Sequence, residues 1–261
     1  MNYDGIITMT GVDGSHWDLT GPNEGQQGVH MRIKPKKLFD APVKTLWIKS
    51  AFGQKYQGAK PQRRDPVFAV QIHATDIDLW EEIDSKFRMA LGNYDDEFTL
   101  HYTTKNGTRS LKMRLLEEPT AYETADYEDR DPHVWGDSTL AISAAAAQPY
   151  WVGEDFVSQL VTTSSSGTGS VKVKCAGDVP SWPKWTITAP SIVTLPDYSW
   201  GQALYGRALE DATRLYMVPQ LYAGEDLVLD SNPDVEMFVA ANRNLVGGRA
   251  RGDGIRYPIA R

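Results

Sequence analysis

Histidine is the side chain best suited to acid–base or metal chemistry near neutral pH, and five are present: His16, His30, His73, His101 and His133. No two stand four residues apart on a helix with a glutamate between them, so the zinc-protease pattern is absent. No Gly-x-Ser-x-Gly elbow and no phosphate-binding glycine loop occur. His133 lies beside Asp129 and Asp131, a grouping that reads as loop polarity rather than a ligand set. Asp230-Ser-Asn232-Pro-Asp234-Val-Glu236 alternates oxygen-bearing side chains as a calcium loop does. It lacks glycine at the sixth position and glutamate at the twelfth, so an Asx turn around Pro233 is the better reading. Arg251-Gly-Asp253 is too short a match to carry meaning. Cys175 stands alone, which excludes an intrachain disulfide and a cysteine metal site. The expectation is a protein with no catalytic, cofactor-binding or metal-binding residues, and no enzyme.

Composition narrows the classes further. A chain of 261 residues exceeds the common size of one domain, so two are expected. Apolar content of 41% and charged content of 23% are those of an ordinary globular protein. A net charge of −7 argues against nucleic-acid binding as the main role. The basic runs Lys34-Pro-Lys-Lys37 and Arg63-Arg64 read as solvated faces. A polyanion could pass through an assembly of such acidic subunits without adhering. No apolar run approaches the roughly 18 residues of a spanning helix. Nor is there a charged segment followed by an apolar one at the N-terminus, so the expectation is a protein made and kept in a reducing cytoplasm, or assembled there into something later released.

The elements are mostly strands. Ile6 to Thr10 is a strand ended by the turn Gly11-Val-Asp-Gly14, and Val29, Met31 and Ile33 alternate with polar residues in another. Leu46 and Ile48 suit a strand, Gly53 to Arg64 reads as an exposed polar loop, and Val67 to His73 is again a strand. Asp78 to Leu91 is a helix with Trp80, Ile83, Phe87 and Leu91 on one face, Asp78 as N-cap with Glu81 three residues on, and Gly92 closing it. Phe98 to Tyr102 and Leu111 to Leu115 form a hairpin about Asn106-Gly107. Leu140, Ile142 and Ala144 make a last strand, after an acidic, turn-rich stretch from Glu117 to Pro132. About seven strands and one helix suit a small barrel or sandwich crossed by a helix.

Pro149 to Gly153 reads as a domain joint, dividing the chain into 1–148 and 149–261. In the second part Val171, Val173 and Cys175 alternate with lysines as a half-buried strand. Gly177-Asp-Val-Pro-Ser-Trp182-Pro-Lys-Trp185-Thr-Ile-Thr-Ala-Pro190 then turns a corner into a strand that points Trp185 inward. Leu215 with Met217 and Leu227 with Leu229 mark further strands, while Gly201 to Ala212 is a weak helix candidate. Short strands at this spacing indicate a β-sandwich. The segment after Gly247 has no evident strand partner and reads as an arm, flexible or ordered by a neighbour.

The 177–190 corner resembles one found in distal tail proteins of long-tailed phages, the minor tail proteins of actinobacteriophages among them. Ala189 stands where such proteins often have glycine. Gly11 to Gly14, Trp17 to Gly21, Phe39-Asp-Ala-Pro42, the Trp80 helix, Pro149-Tyr-Trp151 and Leu227 to Pro233 are similar in the same order. The resemblance implies a mainly β protein: an N-terminal split-barrel-like domain with one helix that joins copies into a hexameric ring, and a C-terminal galectin-like β-sandwich. It implies a ring that connects the tail tube to the tail tip or baseplate hub and the receptor-binding proteins. DNA leaves through its channel without specific binding, and no membrane is involved. The family has no catalytic residues and no cofactor, and its members are assembled in the host bacterial cytoplasm into the virion tail tip. Two other readings compete: a carbohydrate-binding module of a tail fibre or other adsorption protein, for which eight tryptophans and twelve tyrosines are available, and the tail tube subunit.

Overall fold

The computed structural model describes residues 5–121, 131–162 and 167–259. The chain forms two compact units, Met1–Asp155 and Phe156–Arg261.

The first unit runs β1 (Ile6–Thr10), β2 (His16–Asp18), β3 (Val29–Lys36), β4 (Val43–Ser50), β5 (Gly53–Pro61), β6 (Val67–His73), α1 (Ile77–Leu91), β7 (Phe98–Thr104), β8 (Gly107–Leu115), β9 (Thr120–Ala121), α2 (Pro132–Trp135) and β10 (Asp137–Ala145). Eight strands make one antiparallel sheet in the order β2-β1-β7-β8-β10-β6-β3, with β9 beside β10. The two ends of that order meet: the Met31 N–H donates to the Leu19 carbonyl at 2.7 Å, so the sheet is nearly a closed barrel. Closure depends on β10, which pairs with β6 through residues 137–143 and then with β8 through Ala144 and Ala145. Small side chains there let the strand pass between two neighbours. Inward residues of alternating parity fill the barrel, among them Met9, Val70, Ile72, Phe98, Leu100, Leu111, Met113, Leu140 and Ile142, all fully buried.

Helix α1 covers one side of this core. Trp80, Phe87, Ala90 and Leu91 are buried, Ile83 is partly so, and Trp17 meets the Phe87 ring edge-on at 5.1 Å. The Trp80 indole donates to Ser138 Oγ at 3.2 Å, which satisfies its one polar atom in the interior. The cap is Asp76, not the expected Asp78. Asp76 is extended (φ −139°, ψ 164°), and its carboxylate accepts from the Leu79 N–H at 2.9 Å. Two aspartates lie in line there, and the intervening Ile77 is exposed, so the apolar stripe does not mark the first turn. Gly92 closes the helix at φ 70° as expected.

Four further readings change. Gly53 to Pro61 is no loop but β5, paired with β4 along its length. Arg64 is not solvated; it is 1% exposed. A second, short helix, α2, follows the acidic stretch, of which 122–130 lie outside the described residues. Residues 149–152, expected at the joint, are held by the first unit: Val152 bridges to Ser110 and Trp151 packs on the barrel core.

The second unit is also β, in smaller pieces: β11 (Lys184–Ile187), β12 (Thr194–Pro196), β13 (Leu215–Met217), β14 (Leu227–Asp230) and β15 (Phe238–Ala240). They form a three-stranded sheet, β11-β14-β15, and the pair β12-β13. Ile187, Leu195, Tyr216, Leu227, Leu229 and Ile255 belong to its core, with Trp185 packed against it as expected. Val171 to Cys175 joins no ladder and stays largely exposed, so its alternation reports no sheet face. Leu215 and Met217 do lie in a strand but face outward, because Tyr216 between them takes the core side. Gly201 to Ala212 holds only the single 3₁₀ turn Ala203–Tyr205. The segment after Gly247 is not a free arm: Ile255 and Tyr257 are buried, and Ile259 pairs with Ser181.

The capping geometry gives a direct comparison. Asp76→Ala should cost about 1 kcal/mol in chemical denaturation, whereas Asp78→Ala should stay within about 0.5 kcal/mol of the parent.

Candidate assembly surfaces

The barrel unit has one part that does not bury its apolar residues. β4 and β5 form a two-stranded sheet of their own, and every residue of β4 is exposed. Val43, Trp47, Ile48 and Tyr56 are each about half exposed, and Phe52 at the turn is 101% exposed. Trp47 and Tyr56 are cross-strand partners whose rings meet at 5.1 Å and 63°. Between Leu46 and Trp47 the register shifts, opposite Gly58 at φ 135°, a conformation open to glycine and strained for other residues. A lone two-stranded hairpin is marginally stable in water, and a contiguous exposed apolar patch marks an interaction site.

The base of this arm is firmly held. Entering it, Leu38 is buried and its carbonyl accepts from the Arg64 guanidinium and from the Trp151 indole, the latter at 3.1 Å. Leaving it, the Gln62 N–H donates to the Pro42 carbonyl at 2.8 Å, and Arg64 exchanges backbone bonds with Ala146. The Arg64 guanidinium also reaches the Pro149 carbonyl. Burial pulls the pKa of this arginine down, and Asp40 opposes that. The arm is therefore an exposed lever on a buried root. The sequence signal was present in the apolar run Leu46-Trp-Ile48, the turn residues Ala51-Phe-Gly53 and Tyr56, but the glycines and lysines of 53–64 masked the second strand.

In the second unit two buried carboxylates organise the loops. Asp197, its side chain fully buried, accepts from Arg214, from the Arg256 N–H at 2.9 Å and from the Tyr257 N–H at 2.8 Å. Arg214 also donates to the Gly254 carbonyl at 3.1 Å, and the Tyr257 hydroxyl donates to Asp211 at 2.5 Å. That hydroxyl is the main reason the Asp211 pKa is lowered. Glu225 accepts from Arg249 at 2.6 Å, the Tyr222 N–H at 2.9 Å and Asn244 at 2.9 Å. These contacts, Arg249 first, bring its pKa from an ordinary 4.5 to about 2. Both sets bind chain to chain.

His16 and His101 lie near each other on either side of Thr10. Nε2 of His101 shares a hydrogen bond with Thr10 Oγ1 at 2.9 Å, and burial lowers its pKa. His16 lies 3.4 Å from Asp18 and His73 3.9 Å from Asp137. His133 lies 3.1 Å from Asp131 and 3.6 Å from Glu81; Asp129 is outside the described residues. The 230–236 segment forms Asx turns, with Asp230 accepting from the Asn232 N–H and Asn232 from the Asp234 N–H. Among the described residues no three of His, Cys, Asp and Glu gather where they could hold a metal, and no helix is long and apolar enough to cross a membrane.

No family model matches the chain. The minor tail protein Gp27 of Mycobacterium phage L5 is 26% identical over 99% of this chain and 89% of its own length. Gp27 of Mycobacterium phage D29 is 25% identical over 98% and 88%. The chain is homologous to mycobacteriophage minor tail proteins. Among solved structures, the SPP1 Dit protein (gp 19.1) superposes with a TM-score of 0.60 at 13% identity, covering 97% of this chain and 90% of Dit. A chain of the phage p2 baseplate in its activated, strontium-bound conformation gives 0.51 at 11%, covering 98% and 92%. The minor-tail-protein resemblance and the mainly β reading of the sequence both hold.

The Glu225 contacts predict a pH effect of definite sign. The folded carboxyl titrates near about 2 and the unfolded one near 4.5, so its stabilisation is present above pH 4.5 and is lost as pH falls through about 2. Glu225→Gln should flatten the acid limb of the melting temperature between those values, read by scanning calorimetry.

Proposed function

We propose that this protein is a structural component of a phage tail hub, a distal tail protein that closes into a hexameric ring between the tail tube and the tail tip or baseplate. The observation that carries this reading is the near-full-length homology to two minor tail proteins on a fold shared with SPP1 Dit. In it, the barrel unit, Met1–Asp155, forms the ring and Phe156–Arg261 a galectin-like platform that docks tip and receptor-binding proteins. DNA leaves through the ring, and the net charge of −7 suits a passage that a polyanion does not adhere to. The role is non-enzymatic, and the place of action is the virion tail, after assembly in the host cytoplasm.

The β4–β5 arm supports the ring reading, since its aromatic surface needs a partner that the protomer does not supply. A carbohydrate platform is not favoured. Trp185 packs on the second core, and exposed Trp200 meets Tyr198 at 86°, edge-on rather than coplanar as sugar stacking needs.

Light scattering over a concentration series, with negative-stain images, should show a closed ring with a central hole. Trp47→Ala should weaken that association by about 2 kcal/mol or more, as loss of an aromatic interface anchor does, with an unchanged far-ultraviolet spectrum. A parent protein that stays monomeric at every concentration counts against the reading.

A further inference from the structure

Charge is distributed unevenly along this chain. Of 27 basic and 34 acidic residues, ten basic ones and one acidic, Asp40, fall between residues 32 and 64; that segment carries +9 and the remainder −16. The segment holds the end of β3 and the arm with its root; Lys44, Lys49, Lys55 and Lys60 are on the arm itself, which has no acidic residue. On the arm the pairing register sorts the side chains onto two faces. Val43, Trp47, Lys49 and Tyr56 share one; Lys44, Leu46, Ile48, Lys55 and Lys60 share the other.

Lys44 stands directly opposite Lys60, and Lys55 opposite Ile48. Like charges directly across a strand pair destabilise it. Lys44, Lys49, Lys55 and Lys60 have no ion-pair partner among the described residues. A hairpin that sets lysine against lysine in isolation is relieved when carboxylates arrive from outside.

We propose that the lysine face of the β4–β5 arm is an electrostatic clamp that seats on the acidic surface of a second copy of this chain. This rests on the ring reading above and adds what drives and steers ring closure. The partner is argued from complementarity: the residues outside the arm region sum to −16 per copy, and each new subunit brings that excess again. A nucleic acid would meet the same lysines, but the rest of every protomer repels it. The aromatic face then supplies desolvated contact while the lysine face sets orientation and encounter rate.

The test is sedimentation velocity on the full chain at about 0.1 M and about 1 M NaCl, between which the screening length falls from about 10 Å to about 3 Å. Self-association should weaken about tenfold or more across that range. The double substitution Lys44→Glu, Lys60→Glu should weaken it by a similar factor at low salt and abolish the salt dependence. Lys44→Gln with Lys60→Gln, which removes charge without adding repulsion, should fall between the two. Trp47→Ala should weaken association while leaving its salt dependence intact. Association indifferent to salt and to both lysine pairs overturns the clamp and leaves the ring standing. Retention of duplex DNA by the parent protein, lost in the lysine variants while self-association persists, overturns it in favour of a nucleic-acid contact. No self-association at any concentration or salt removes ring and clamp together.

Discussion

The arrangement of the barrel unit depends on one buried cation. Arg64 sits where β5 re-enters the barrel, and its guanidinium joins the Leu38 and Pro149 carbonyls, which belong to segments far apart in sequence. A buried charge that loses its partners costs about 3–5 kcal/mol, so the three segments are held as one. The position of Trp151 and the origin of the arm meet at this side chain. The arm can be apolar, exposed and lightly packed because its root is none of these things. Such an allocation places rigidity at the base and leaves contact surface at the tip.

Much of the barrel was legible in the sequence, because period-2 alternation survives wherever one strand face is buried and the other is wet. Strands β6, β7, β8 and β10 followed from it, and the stripe of α1 from the helical period. The misreadings share one cause: the pattern reports a buried face, and these residues bury theirs elsewhere or nowhere. β5 has glycine, lysine and glutamine on a strand with no buried face, so it looked like a loop. Val171 to Cys175 alternates without any sheet to join. In β13 two aliphatic residues flank a tyrosine, and the larger ring takes the core. Arg64 was misassigned because isolated basic pairs are ordinarily solvated, and nothing local announces two carbonyls brought from residues 38 and 149. The assembly surface was hidden for the same reason as β5. The resemblance to minor tail proteins was legible because the 177–190 corner that carries it is a local run of residues.

The two units reach order by different means. The first has long ladders and a continuous apolar interior. The second has strands of three or four residues, too short to specify a fold alone, and fixes its loops on Asp197 and Glu225. Ladders tolerate local change, whereas a carboxylate with three donors depends on all of them. Loop insertions in the second unit are therefore tolerated where they spare those donors.

The Asp197 site also sets a schedule on the ribosome. Its backbone donors, Arg256 and Tyr257, emerge about sixty residues after it. At about 5–20 residues per second that is a delay of roughly 3–12 s, during which the carboxylate lacks its two backbone donors. The barrel unit draws on no residue beyond Asp155 and can fold while the second unit is still being translated. A nascent chain thus displays its arm before its second unit is complete.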